Sequence, residues 1–175
     1  MYIRKFLFVF VVFFSFLSAK NSFADLPFYL DYKYVLNQSV AGKKAQDDLK
    51  KKLNKGIESI KIKEKNLQEE EKQIIQQKKI ISAEEYKKKI IELRKKVTSL
   101  QLERNKLLDN TAKQRAKAKN KLLKNLNPII KEYMTNNNIK MIIDKKYLVM
   151  SDESLDITQK IVDLLNKKLK SIKLN

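Results

Sequence analysis

The sequence predicts a mainly α-helical protein in which a long antiparallel helical hairpin, the arm, projects from a small body that contains short β-strands. Residues 43–127 include no proline and one glycine, Gly56, and they are mostly Lys, Glu, Gln, Leu and Ile. All of these except Ile are strong helix formers. A single helix over this region would be about 130 Å long, so a turn is expected within it. Short apolar runs on either side supply the strands and helices of the body.

The first 24 residues are predicted to be a secretory signal peptide. Arg4 and Lys5 precede an apolar run over residues 6–17, and small residues end the segment at Ala24. An uncleaved membrane anchor is the alternative, but the run rises only about 18 Å as a helix, whereas a hydrocarbon core is about 30 Å thick. We therefore expect cleavage after Ala24 and a mature chain that begins at Asp25.

The body is predicted to open with a strand and a short helix. Phe28–Leu30 is an aromatic and aliphatic run that favours a strand. Apolar residues then recur at helical spacing over residues 32–40. Gly42 is expected to separate this short helix from the first helix of the arm.

The first arm helix, residues 43–81, carries an apolar residue at every seventh position of one register. These residues are Leu53, Ile60, Leu67, Ile74 and Ile81. The companion position, four residues further on, is apolar at Ile57 but charged at Glu64, Glu71 and Lys78. We call the line along which the two arm helices face each other the seam. A half-charged seam holds a hairpin together but leaves its free faces in water.

The tip of the arm is predicted near residues 80–85. Ser82 followed three residues later by Glu85 is the signature of a capping box, so the second arm helix is expected to start at Ala83. Apolar residues with alternating spacings of four and three continue the seam on this helix. They are Tyr86, Ile90, Leu93, Val97, Leu100 and, after a break at Arg104, Leu107.

The second arm helix is predicted to enter the body beyond residue 122, where apolar residues become dense. Asn127 followed by Pro128 indicates either a kink or the start of a new helix, and the sequence leaves both open. Apolar residues 139–143 and 147–150 predict a β-hairpin or a pair of short strands. Residues 156–174 are predicted to form an amphipathic helix. The predicted domains are a body of residues 25–42 and 123–175 and an arm of residues 43–122.

The formal net charge of +19 lies mostly on the arm, because residues 43–127 hold 26 Lys and Arg against 12 Asp and Glu. Solvated helix faces are one explanation, and attraction to acidic polypeptide, nucleic acid or anionic lipid is the other. Export makes nucleic acid an unexpected partner. The chain has no Cys and no His, so it lacks disulfides and the commonest general base and metal ligand. Asp31 and Asp144 belong to no acidic cluster, and we expect no enzymatic activity, metal or cofactor.

Two stretches of the chain resemble the Skp/OmpH family of periplasmic chaperones. The opening FYLDYKYVLNQSVAGKKAQDDLKKKL is similar to the family's short strand, aspartate, brief helix, small-Gly-Lys-Lys turn and long charged helix. The closing NIKMIIDKKYLVMSDESLDITQKIVDLLNKKLK is similar to its two last strands and final helix, which opens here with Asp156, Ile157 and Thr158. The resemblance covers the whole mature chain and lies in the order of elements rather than in one motif.

The resemblance implies a periplasmic homotrimer whose arms surround a cavity, where family members bind unfolded outer-membrane proteins without ATP. A small body is also marginal as a lone core, which favours association of copies. The client-binding arm positions it implies are Leu53, Ile57, Ile60, Leu67, Ile74, Ile81, Tyr86, Ile90, Leu93, Val97 and Leu100. The basic tip positions are Lys78, Lys79, Lys87, Lys88 and Lys89. The trimer-body positions are Tyr29, Leu30, Leu36, Ile142, Ile143, Leu148 and Val149.

Each of these sets has a second explanation. The apolar arm positions also fit an ordinary seam between two helices, and both roles are compatible at different depths of the arm. The tip lysines also fit a surface that contacts anionic membranes. The alternative function is therefore a basic envelope protein that is attracted to anionic lipid or lipopolysaccharide rather than to polypeptide.

Overall fold

The computed structural model describes residues 26–174, so the predicted signal peptide and its cleavage after Ala24 lie outside the described residues. It confirms the predicted fold class of a long helical hairpin on a small body that contains both helices and strands. The strands are β1 (Phe28–Leu30) and β2 (Ile142–Asp144). The helices are α1 (Tyr32–Gln38), α2 (Val40–Gln77), α3 (Ala83–Asn136) and α4 (Thr158–Lys168), and single 3-10 turns lie at Lys145–Tyr147 and Glu153–Leu155.

The main apolar core lies in the body, where β1, α1, the end of α3 and α4 meet. Its centre consists of side chains with no solvent-exposed surface, namely Leu30, Val35, Leu126, Ile157, Ile161 and Leu165. Partly buried side chains of Tyr133, Met134 and Ile142 pack around this centre. The body is therefore held by residues that are far apart in sequence, with the entire arm inserted between them.

The sheet consists of β1 and β2, which run parallel with Phe28 opposite Ile142 and Leu30 opposite Asp144. Parallel strands need a long crossover connection, and here the whole arm is that crossover. Of the β-hairpin or pair of short strands predicted from residues 139–143 and 147–150, only β2 forms, so the prediction of a second strand is wrong. Its physical reason is the turn after β2, where the Asp144 carboxylate accepts a hydrogen bond from the Lys146 N–H at 3.2 Å and starts a 3-10 turn.

Helices α1 and α2 are separated at Ser39 rather than at the predicted Gly42. The Ser39 hydroxyl caps α2 by accepting a hydrogen bond from the Gly42 N–H at 3.2 Å. Gly42 lies inside the first turn of α2, and a Cβ atom at this position would stand 1.8 Å from the Leu36 carbonyl oxygen. Glycine is thus needed because the end of α1 passes directly against the start of α2.

The tip of the arm is a short turn between Gln77 and Ala83. The predicted capping box is confirmed: the Ser82 hydroxyl accepts from the Glu85 N–H at 3.2 Å, and the Ser82 N–H donates to the Glu85 carboxylate at 3.3 Å. The first arm helix ends at Gln77 rather than at residue 81, because the box begins the second helix only after the chain has turned.

Helix α3 continues without interruption through Pro128 to Asn136, so of the two alternatives left open there, a kink or a new helix, the new helix is excluded. Proline removes one backbone donor from a helix. Leu126, Ile129 and Ile130 on either side of it are buried in the body. The packing of these side chains holds the helix across the missing hydrogen bond.

Helix α4 is shorter than the predicted segment of residues 156–174. The Asp156 carboxylate accepts from the Thr158 N–H at 2.8 Å, and the helix ends at Lys168. Residues 169–174 then form a tail that is neither helix nor strand. The apolar pattern that suggested a longer helix includes Ile172, which packs instead with Leu174 against the lower part of the arm.

Candidate functional site

The predicted client-binding residues divide into three groups by burial. Ile60, Ile74 and Leu93 are buried in the seam between α2 and α3. Ile57 and Val97 are exposed. The others are half-buried: Leu53, Leu67, Ile81, Tyr86, Ile90 and Leu100. The structure thus places most of this set on or beside the seam, and their role in client binding stays a prediction.

The seam is open in its middle. A cleft of about 720 Å³ lies between the two arm helices and is lined by Leu67, Ile90, Leu93, Val97 and Leu100 together with charged side chains. The charged residues that line it are Glu64, Glu71, Arg94 and Arg104. Five of the predicted apolar positions therefore surround unfilled space instead of interlocking, which is the consequence of the half-charged seam.

Ion pairs bridge the two arm helices beside this cleft. Lys63 pairs with Glu103 at 2.6 Å, and Lys96 pairs with Glu70 at 2.6 Å. Arg104 also donates to the Glu64 carboxylate. All of these side chains are about a third or more exposed, and exposed pairs contribute only about 0.2–1 kcal/mol each. They align the helices but leave the arm weakly closed.

A second set of apolar arm residues points into solvent and was missed by the seven-residue count. These residues are Ile62, Ile75, Ile80, Ile91, Leu102 and Leu108. The sequence carries a signal for four of them, since they belong to the doublets 74–75, 80–81, 90–91 and 107–108. Successive helical residues are turned by about 100°, so only one member of each of the three doublets within the helices can face the partner helix, whereas residues 80–81 lie in the tip turn. The outward-facing members give the arm scattered apolar spots among lysines.

The tip lysines are only partly free. Lys78 stands 5.8 Å from the centre of the Tyr86 ring, and Lys89 donates a hydrogen bond to the Gln77 side chain at 2.6 Å. Lys79, Lys87 and Lys88 are exposed. Ile80, at the apex of the turn, is 81% exposed.

Positive charge is concentrated at the base of the arm rather than at its tip. We define the arm root as residues 43–55 and 106–124, which hold 13 Lys and Arg against 3 Asp. The outer arm, residues 56–105, also holds 13 Lys and Arg but 9 Glu. The two parts thus hold equal numbers of Lys and Arg, but most of the acidic residues lie in the outer arm. The strongest attraction for acidic groups is therefore expected close to the body.

The predicted trimer-body residues range from buried in β1 to fully exposed in the segment after β2. Tyr29 and Leu30 are buried, and Leu36, Ile142, Ile143 and Leu148 are half-buried. Val149 is fully exposed at 103% and its neighbour Met150 at 91%. Among residues 26–174, β2 has a paired strand on one side only. This edge and the apolar residues after it form the main uncovered surface of the body.

The start of α4 is fixed to β1 and to the turn after β2. Ile157 N–H donates to the Tyr29 carbonyl at 3.0 Å, and Lys145 pairs with Asp156 at 3.3 Å. Burial by itself raises the pKa of Asp156, but hydrogen bonds from Thr158 and Lys145 outweigh it and leave the pKa below its ordinary value. The hydrogen bond to Asp156 in turn raises the pKa of Lys145. The body thus prefers Asp156 ionised.

Residues 26–174 contain neither a cluster of metal-ligating side chains nor a helix that could span a membrane. No group of three or more His, Cys, Asp or Glu side chains in this range is placed to hold a metal ion. None of the helices in the same range has the length and apolar composition needed to cross a membrane.

Comparison with known proteins identifies the family. The family model described as outer membrane protein (OmpH-like) matches residues 28–165, which is the span from β1 through most of α4. The chain belongs to the OmpH-like family. The match includes the whole arm as well as both strands, so the OmpH-like assignment does not depend on the helical hairpin alone.

A solved OmpH-like structure has the same fold. It is the crystal structure of a protein from Caulobacter crescentus CB15 described as an OmpH-like outer membrane chaperone, with a TM-score of 0.79 and 18% sequence identity. The match covers 85% of this chain and 89% of that chain. A comparison with curated protein sequences finds no match. Despite the low identity, the two OmpH-like chains share the arm and body over nearly their full lengths.

Proposed function

We propose that this protein is an ATP-independent holdase chaperone of the periplasm that binds unfolded outer-membrane proteins between its arms and prevents their aggregation. Membership of the OmpH-like family supports the proposal, as does the likeness to a structure described as an outer membrane chaperone. The observation that carries it is the surface of the arm, where exposed Ile and Leu side chains are scattered among many lysines.

Such a surface suits an unfolded membrane β-barrel. That client exposes alternating apolar residues and unpaired backbone groups, so it aggregates unless it is kept apart from other copies. Each apolar side chain contributes about 1–2 kcal/mol when it is covered. Many weak contacts of this size, spread along the arm, hold a client without fixing it in one conformation. The lysines keep the arm soluble and attract acidic client segments.

The proposal includes self-association through the body. Exposed strand edges and apolar residues invite pairing with another chain, and the free side of β2 lies next to Val149 and Met150. Copies that cover this surface would place several arms around a shared space. The number three comes from the resemblance to the family, and sedimentation of the mature chain tests it.

Aggregation of a urea-unfolded outer-membrane β-barrel, followed by light scattering after dilution, tests the function. The mature chain from Asp25 is expected to suppress scattering at a low molar excess, and a chain that leaves it unchanged contradicts the proposal. The outward-facing variant replaces Ile62, Ile75, Ile91 and Leu102 by Ser. It should retain helix content, since these side chains are exposed, and lose protection.

A matched control separates client binding from hairpin packing. The seam variant replaces Ile60, Ile74 and Leu93 by Ser, and its melting temperature should fall because these side chains are buried between the helices. If the outward-facing variant protects as well as the parent, the scattered apolar residues are not the client-binding surface.

The same preparation tests the alternative of a lipid-surface protein, which the exposed Ile80 among tip lysines favours. Such a protein would co-sediment with vesicles that contain anionic phosphatidylglycerol and would leave client aggregation unchanged. Under the chaperone proposal the reverse result is expected.

A further inference from the structure

A groove of about 1450 Å³ lies at the base of the arm, between α1, α2 and α3 and beside the ends of β1 and β2. Its volume exceeds the roughly 300–1,000 Å³ of small-molecule sites. Along α2 its lining extends from Gly42 to Asn54, which is about 18 Å at the helical rise. That length matches five or six extended residues at about 3.3 Å each. The size of this arm-root groove therefore fits a stretch of polypeptide.

The groove has an apolar floor and a basic rim. The floor holds half-buried leucines that keep exposed surface, namely Leu36, Leu53 and Leu123, beside buried side chains, namely Ala45, Leu49, Ala118 and Leu122. Lys33, Lys50, Arg115 and Lys119 also line it, and no salt bridge in the described part of the chain involves them.

The carboxylates of the groove are largely engaged already. Asp31 accepts a hydrogen bond from the Tyr34 N–H at 2.7 Å as the cap of α1, and Asp144 pairs with Lys146 at 3.3 Å. Asp47 is the remaining acid. With Lys145 and Lys146 the lining holds six Lys and Arg against three Asp, so the groove complements a segment that carries negative charge.

The C-terminal tail shows how a segment outside the helices binds to this part of the arm. Beside the groove, Ile172 and Leu174 of the C-terminal tail pack against Ala45, Leu49 and Ala118, which also line the groove. Lys121 donates a hydrogen bond to the carbonyl oxygen of tail residue 173 at 2.6 Å. The tail is thus held by two alternate apolar side chains and by the hydrogen bond that Lys121 of α3 donates to its backbone.

The groove offers a similar arrangement next to the tail contact, because basic residues of α3 lie on both sides of the shared floor. Arg115 and Lys121 precede and follow Ala118 by three residues, which places them about 60° to either side of it on α3. The small side chains of Ala45 and Ala118 line the groove as well as the tail contact. Arg115 and Lys119 are therefore placed to bind a segment in the groove as Lys121 binds the tail.

We propose that the arm-root groove binds one extended segment of about five residues of unfolded polypeptide in which apolar residues alternate with Asp or Glu. Alternate side chains of an extended chain point to opposite sides, so the apolar ones meet the leucine floor and the acidic ones meet the rim. The inference rests on the proposed chaperone function and names a fixed contact within it. The remaining arm contacts stay diffuse.

Fluorescence anisotropy with a labelled heptapeptide of alternating Asp and Leu tests the proposal, and its counterpart of alternating Lys and Leu is the control ligand. The full mature chain is used throughout. The groove variant combines Lys50→Glu, Arg115→Glu and Lys119→Glu. The parent should prefer the acidic peptide, and the groove variant should bind it about tenfold more weakly.

A control variant with the same change in net charge combines Lys51→Glu, Lys106→Glu and Lys113→Glu, which lie on the same two helices outside the groove. It should keep most of the affinity of the parent. Equal losses in the groove and control variants, or no preference of the parent for the acidic peptide, would overturn the proposal.

Two parallel measurements separate this proposal from others. A parent chain that suppresses client aggregation but ignores the acidic peptide contradicts the groove and leaves the chaperone function standing. A chain that binds the peptide through the groove but fails to suppress aggregation contradicts the chaperone function alone. Sedimentation of the groove variant is the third readout, because loss of the parent's oligomer would show that a second copy covers the groove and would overturn the proposal.

Discussion

The body and the arm are built from the same few residue types, but the body is densely packed and the arm is not. In the body, Leu30, Val35 and Ile161 have no exposed surface and pack against residues from four elements. Along the outer arm, burial is confined to single side chains such as Ile60 and Ile74, and a cleft of about 720 Å³ remains between the helices. The body excludes water, whereas the arm admits it.

This difference separates the body, which fixes the fold, from the arm, which is proposed to bind clients. A filled core fixes one arrangement of its elements. A seam held by a few apolar residues and exposed ion pairs leaves apolar side chains available to a partner. The arm therefore leaves apolar surface uncovered, as the proposed client binding requires, and the body supplies the rigidity that the arm lacks.

Truncation of matched isoleucines should give the largest contrast between the two regions. We expect Ile161→Ala in the body to lower the free energy of unfolding by about 3–4 kcal/mol, since a fully enclosed cavity cannot collapse. Ile74→Ala in the arm should cost about 1–2 kcal/mol, because the two helices can close on the gap. Urea unfolding at fixed protein concentration measures both, and equal costs would show that the arm is as well packed as the body.

The two glycines of the chain provide a second matched pair. Gly42→Ala places a Cβ atom 1.8 Å from the Leu36 carbonyl oxygen, a backbone atom that cannot move without shifting α1, so we expect a loss of about 2–3 kcal/mol. Gly56→Ala meets only the side chain of Leu107, whose terminal methyl carbons lie at 2.6 Å and 2.8 Å.

The gain in helix propensity of about 1 kcal/mol should offset the movement of Leu107, so Gly56→Ala is expected to be nearly neutral. Thermal unfolding followed by circular dichroism compares the two variants. A strongly destabilised Gly56→Ala chain would mean that α2 and α3 are fixed more tightly than their open seam indicates.

The smallest expected effect concerns pH and the body. The pKa of Asp156 is lower in the folded chain than its ordinary value, so its contribution is present above about pH 4 and is lost as the pH falls through the folded pKa. The isosteric change Asp156→Asn removes this proton uptake. Urea midpoints at pH 5 and pH 3 should therefore differ less for the variant than for the parent, and identical differences would show that Asp156 has no part in acid sensitivity.

The sequence predicted the arm well because its features are local. Heptad spacing and the Ser82–Glu85 capping box depend on residues a few positions apart, and both appear in the structure. The β-hairpin prediction was wrong because β2 pairs with β1, more than one hundred residues earlier, and no local sequence pattern indicates that pairing. Gly42 was predicted to separate two helices, but it lies inside α2, where the nearby carbonyl of Leu36 on α1 leaves no room for a Cβ atom.

The candidate site was predictable only in part. Spacing located the seam positions, but it could not tell which of two adjacent apolar residues faces water, as with Ile74 and Ile75. The arm-root groove was not predicted, because α1 and the strand ends reach it only through the fold of the body. Apolar residues beyond α4 were predicted to continue that helix, although Ile172 lies in the tail and packs against the arm root.

Hydrogen exchange with mass spectrometry, with and without an unfolded outer-membrane β-barrel, tests most directly whether the arm binds clients while the body holds the fold. Without client, amides of residues 56–105 should exchange faster than those of the body core around Leu126 and Ile161, because local opening is easier where few side chains are buried. With client, new protection should appear in residues 43–122 and leave residues 123–174 unchanged. Protection gained only in the body, or none in the arm while the client stays soluble, would contradict the account.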